Sequence, residues 1–148
     1  MAGGDYLCIA TTDGRLLLRR SSTLERVQER ELGGVVSYPL HIAADRLFVE
    51  IDDDQVEVFE LDDELNSEGT FPKNGSRLVD APLPLPNGGF LAAFSDGTVM
   101  KLDATGLPIG EPTLLGQKIQ RGPIAVGGSV IVLAADGSLY SLNDLANN

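Results

Sequence analysis

The sequence predicts an all-β chain of repeated four-stranded antiparallel units, and three observations carry that prediction. Four stretches align without gaps in their turns: "YLCIATTDGRLLL", "RLFVEIDDDQVEVFEL", "GFLAAFSDGTVMKL" and "SVIVLAADGSLYSL". Their turn aspartates, Asp13, Asp53, Asp96 and Asp136, lie 40, 43 and 40 residues apart. The composition agrees, because 17 glycines, 8 prolines and only 5% aromatics favour many short elements joined by turns over long helices.

Each aligned stretch reads as a hairpin. Asp13-Gly14, Asp96-Gly97 and Asp136-Gly137 sit between two alternating runs, the pattern of a two-residue type I′ turn whose central residues both need positive φ. In the second copy Asp54 stands where the glycine would be, which predicts a left-handed Asp54. Upstream, Pro39, Pro82 and Pro123 precede the turn aspartates by 14, 14 and 13 residues, each expected near the start of a short strand where no ladder donor is lost. Downstream come polar turns and extended segments, "STLERVQEREL", "ELNSEGTF" and "GLPIGEPTLL". Local propensity favours a helix for the first of these, with a Ser/Thr cap, whereas its place in the repeat favours a strand with Leu24 and Val27 inward.

The unit is thus four strands in about 41 residues, the length of one β-propeller blade. We expect a single domain over 1–148 with about 3.5 to 4 blades: a partial blade at about 5–36, blades at 37–78 and 79–120, and a partial blade at 121–148. The first blade lacks its proline strand in this reading, and the last lacks its outer strand. An incomplete ring leaves apolar end faces uncovered, which predicts association.

"GPIAVGGSVIVLAADGSLYSL" and "GGFLAAFSDGTVMKLDATGLPIG" resemble the repeats of pyrroloquinoline-quinone-type β-propellers. In that family a Gly-Pro strand is followed by a Val/Ile-rich strand, an Asp-Gly turn, a Leu-Tyr strand and an Asp-Ala-x-Thr-Gly turn. Asp103-Ala104-Thr105-Gly106 is similar to that last element, one residue short. The resemblance implies fold and not activity. The family's blades carry an outer-strand tryptophan that docks on the next blade, and this chain has none. Leu32, Phe71 and Leu114 or Leu115 are the expected substitutes. Members of the family are often periplasmic or secreted, but the compartment of this chain stays open, since "MAGGDYLCIATT" has no basic segment before its apolar run and does not read as a signal peptide.

Charge and residue inventory narrow the function. Acidic residues outnumber basic ones 22 to 11, for a formal charge of -11, so nucleic acid and anionic membranes are unfavourable partners. No apolar run reaches the ~18 residues of a membrane-spanning helix. One cysteine and one histidine cannot build a zinc site. Asp52-Asp53-Asp54 and Asp62-Asp63-Glu64 lack the spacing of a calcium loop and read as solvated turns. Cys8 reads as a buried small hydrophobe and His41 as a structural strand residue. The turn aspartates and glycines, Asp13, Gly14, Asp53, Asp96, Gly97, Asp136 and Gly137, read as structural, as do the three prolines. The polar stretch 62–78 is the longest connection and the best loop candidate for a partner contact.

No catalytic, metal or cofactor residue is expected. The preferred reading is a non-enzymatic interaction scaffold, a half-ring completed to about eight blades by a second copy or by another propeller fragment. One alternative is a fragment or subunit of a quinone-dependent dehydrogenase, whose tryptophan, paired cysteines and calcium ligands would have to lie elsewhere. Another is a carbohydrate-binding propeller, which needs aromatic platforms that three Tyr and five Phe supply poorly.

Overall fold

The computed structural model describes residues 2–148, with side chains from residue 4 onward. Its strands form four antiparallel sheets, each a meander in chain order. The first contains β1 (Ala2–Gly3), β2 (Tyr6–Ala10), β3 (Arg15–Arg20) and β4 (Arg26–Glu31). The second contains β5 (His41–Ala43), β6 (Arg46–Ile51), β7 (Gln55–Glu60) and β8 (Ser67–Pro72). The third contains β9 (Leu83–Pro84), β10 (Phe90–Ala93), β11 (Thr98–Leu102) and β12 (Thr113–Leu114). The last has three strands, β13 (Ile119–Val126), β14 (Ser129–Ala134) and β15 (Leu139–Ser141), followed by the one-turn helix α1 (Asn143–Ala146). Among the described residues no helix is long and apolar enough to cross a membrane.

One sequence expectation changes here and another is met. The first sheet has four strands, because Ala2 and Gly3 pair with Leu7 and Tyr6 where no inner strand was expected. The segment around Val27 is a strand, as its repeat position requires. Pairing of Leu16, Leu17 and Leu18 with Arg30, Glu29 and Gln28 outweighs helix propensity.

The chain forms two compact units, 1–75 and 76–148. In the first, Cys8, Leu16 and Leu18 from one face of sheet one share a core with Leu47, Val49, Ile51 and Phe59 from the facing side of sheet two. In the second, Leu91, Ala93 and Val99 of sheet three share a core with Ile119, Val132 and Leu142 of the last sheet. Each unit thus repeats one interaction. The face carrying the second residue after the hairpin turn packs on the opposite face of the next sheet.

The hairpin turns also differ from expectation. Asp13, Asp96 and Asp136 are not left-handed; the glycine alone is, with φ of 84°, 98° and 89° at Gly14, Gly97 and Gly137. The hydrogen bonds from Gly14, Gly97 and Gly137 N–H to Thr11, Phe94 and Ala134 C=O define a turn one residue earlier than Asp-Gly at its centre. These are three-residue loops, a type I turn closed by a left-handed glycine bulge. The second copy keeps the loop length, since Ile51 pairs with Gln55, but places Asp52 rather than Asp54 at positive φ, at 50°. Asp52 is held there by two bonds with Val35, N–H to its carbonyl at 2.8 Å and Oδ1 from its N–H at 3.0 Å.

The last loop residue is where the outer segment attaches. Leu32, Lys73 and Leu115 donate N–H to the carbonyls of Gly14, Asp54 and Gly97 at 2.8, 2.9 and 3.0 Å. A Cβ on Gly14 would meet the Gly34 carbonyl oxygen at 2.7 Å, and one on Gly97 would lie closer still to that of Gln117. At Gly137 nothing lies within 4 Å. Gly137→Ala should therefore cost only the left-handed strain of ~1–2 kcal/mol, while Gly97→Ala should lower the thermal midpoint by several degrees more. Equal losses in parallel melting curves would contradict the contact difference.

Lys73 fills a position that is leucine in sheets one and three, and its side chain is fully buried. Its Nζ lies 3.3 Å from Glu50 Oε1 and 4.5 Å from the centroid of the Tyr38 ring. Glu50 in turn occupies, by register, the place of Ala10 and Ala93. Two charged substitutions at apolar repeat positions thus offset each other. Lys73→Leu alone should cost ~3–5 kcal/mol by removing the cation paired with a buried carboxylate, whereas Lys73→Leu with Glu50→Ala should recover most of that loss in urea unfolding.

Candidate interaction surface

The residues singled out in the sequence occupy structural places. Asp96 and Asp136 accept the N–H of Thr98 and Ser138 at 3.0 and 2.9 Å. Asp13 accepts the Thr11 hydroxyl and, at 3.1 Å, the Arg15 Nε–H. Asp53 accepts the Tyr38 hydroxyl at 3.2 Å. Pro39 lies two residues before β5 and Pro82 directly before β9. Pro123 is inside β13, not near its start, at the register shift between Arg121 and Ile124 and after a cis Gly122–Pro123 bond. Bulges are where a strand accommodates proline. Among the described residues no group of three or more His, Cys, Asp or Glu is placed to hold a metal ion.

The stretch 62–78 is less free than its composition suggests. Residues 67–72 are β8, and the turn before it is anchored on sheet one. Arg20 Nη2 holds both oxygens of Asp63 at 2.8 Å, and Tyr6 donates its hydroxyl to the same carboxylate. Arg30 donates to the carbonyls of Glu64 and Leu65 at 2.6 and 3.2 Å. Of the outer-strand substitutes, Phe71 is buried and Leu32 and Leu115 pack partly into the cores, whereas Leu114 is 74% exposed.

On the first and last sheets, apolar residues are exposed at repeat positions that are buried in other sheets. Leu16, Val56, Val99 and Leu139 are the same repeat position, two residues past the loop. The first three are 0–1% exposed and Leu139 is 64% exposed. Ile124 and Val126 on the same face of the last sheet are 43% and 55% exposed. On sheet one the face turned away from sheet two carries Ile9, 37% exposed, at the register position of the fully buried Val49 and Ala92.

The last sheet also has a free edge. Ala134 N–H bonds Ser138 C=O at 2.8 Å and Leu142 N–H bonds Val130 C=O at 2.7 Å, so the intervening Leu139 and Ser141 turn their backbone groups away from β14. In sheet three the corresponding Val99 pairs with Thr113 of the outer strand. Sequence reasoning found the missing strand but not Leu139, because its exposure depends on what the neighbouring sheet does.

No protein-family model matches the chain, and no curated protein matches it in sequence. Among solved structures it is similar to BamB from Moraxella catarrhalis, at 21% identity and TM-score 0.72 over 94% of this chain and 43% of that one. It is also similar to the dihydro-heme d1 dehydrogenase NirN in complex with DHE, at 17% identity and TM-score 0.67 over 95% of this chain and 33% of that one. A third likeness is to the β-propeller domain of Myceliophteria thermophila Cps50 (Swd1), at 13% identity and TM-score 0.64 over 93% and 50%. The chain thus spans half the length of these proteins or less. The four sheets are propeller blades, and at these identities the likeness shows the fold alone.

Two expectations follow from the local chemistry. Burial pushes the Cys8 thiol up to about 11, so it should resist a disulfide-exchange reagent at neutral pH and react fully in denaturant. Stoichiometric labelling of the native protein would contradict its place in the core. The Ser138 N–H holds the Asp136 carboxyl below its ordinary value of 3.8. A lowered folded-state value makes the ionised form the stabilising one. That contribution is complete above pH 3.8 and is lost as pH falls below it. An Asp136→Asn variant should lack that acid dependence in thermal scans taken from about pH 4 downward.

Proposed function

We propose that the protein is a non-enzymatic β-propeller scaffold that works by assembly, with a second copy of the chain completing a closed ring of about eight blades. The contrast between the buried Leu16, Val56 and Val99 and the exposed Leu139 carries this reading. A repeat position that is buried in three sheets stands exposed in the fourth, and fully burying one leucine is worth ~1.5–3 kcal/mol. The first sheet offers the matching open face around Ile9. Another propeller fragment could fill the same place, and the measurement below separates the two.

The quinoprotein-type repeat remains our proposal for ancestry. Asp103 in the Asp-Ala-Thr-Gly turn accepts the N–H of Thr105 and Leu107 at 2.8 and 3.1 Å, so the residue that carries the resemblance also holds the turn. The quinone-dehydrogenase alternative predicts a cofactor absorbance in the purified protein.

Light scattering on the purified chain tests the assembly. A mass near ~31 kDa, twice the 15.7 kDa chain, is expected. A folded monomer at 15.7 kDa would count against it, and a larger heteromeric species recovered on co-purification would point to another fragment.

A further inference from the structure

Resting on that assembly reading, we infer that Leu24 is the anchor of a head-to-tail contact: the turn after β3 of one copy seats on the open face of the last sheet of a second copy. The internal template is Leu65. Leu24 and Leu65 occupy the same place in their repeats, the residue before the one whose carbonyl accepts the N–H of Arg20 or Glu60. Both are left-handed, with φ of 61° and 52°, a conformation that is strained for a leucine and persists where surroundings enforce it. Leu65 is fully buried in the core shared with Cys8, Leu16 and Leu18 of the preceding sheet. Leu24 shares the left-handed φ in a turn one residue shorter, and it is 56% exposed.

The receptor is equally well defined by register. Cys8, Leu16 and Leu18, which help bury Leu65, correspond to Ile131, Leu139 and Ser141 of the last sheet. Ile131 and Leu139 keep the apolar character, and Leu139 is exposed.

Charge is what singles out a second copy as occupant. In the template, the acidic turn Asp62-Asp63-Glu64 faces Tyr6 and Arg20. In the Leu24 turn, which is one residue shorter, Ser21-Ser22-Thr23 stand where the template is acidic, while on the last sheet Ser129 and Asn143 stand in place of Tyr6 and Arg20. At these matched positions both partners change from charged to neutral together, so docking leaves none of them a buried unpaired charge, and Arg19 stays on the Leu24 carbonyl at 2.8 Å. The contact is heterologous, and two copies related by a two-fold axis make it twice and close.

Aspartate variants at these exposed positions test the inference by light scattering. Leu24→Asp and Leu139→Asp should each shift a ~31 kDa wild-type species to the monomer, because each spoils both contacts of the ring. Mixed one to one, they keep one intact contact, formed by Leu24 of the Leu139→Asp chain and Leu139 of the Leu24→Asp chain. The mixture should regain a dimer population that neither variant forms alone, which also shows that both are folded. A Leu24→Asp chain that stays dimeric, or a mixture that stays monomeric, would overturn the head-to-tail contact while leaving self-association standing. A monomeric wild type would instead remove the assembly reading on which it rests.

Discussion

The structure depends on one constraint: a sheet of three or four short strands with apolar residues on both faces cannot bury them by itself. In sheets one and three the solution is the same. The face bearing Leu16 or Val99 packs on the opposite face of the following sheet. The hairpin loops serve that solution, because the carbonyl of the last loop residue receives the N–H of the residue after the outer strand. Turn, outer strand and neighbouring sheet are thus linked through a few backbone groups. Where the outer strand is absent, as beside β15, the glycine has open space around it and the leucine two residues on is exposed.

The same constraint explains where the repeat tolerates deviation. Sheet two replaces an alanine by Glu50 and a leucine by Lys73, and the two meet in the interior. Its hairpin has no glycine, and the left-handed residue moves to Asp52, which Val35 holds at both its N–H and its carboxylate. Each departure is local, and a partner within reach compensates it, which is what keeps a degenerate repeat foldable.

Much of the candidate surface was legible in the sequence only as a missing piece. Repeat spacing set the last sheet apart, because the 148 residues hold no run in the place of its outer strand. The role of Leu139 was not legible, since in the letters it is one more apolar residue at a position buried elsewhere. Leu24 was read as inward-facing on the same pattern. Its left-handed φ has a counterpart in Leu65, but the two turns, Ser-Ser-Thr-Leu and Asp-Asp-Glu-Leu, match only in the last residue and differ by one residue in length.

By itself the sequence determined the all-β class, the four repeats, the hairpin positions and the strand identity of residues 26–31. All of these follow from periodicity and from glycine and proline placement, which act over a few residues. Tertiary structure decided the turn type, the short strand at Ala2–Gly3, the bulge at Pro123 and the burial of Lys73. These depend on what lies across the strand or on the next sheet. A backbone dihedral or a buried charge is set by such partners, and partners far apart in the chain leave no spacing to read.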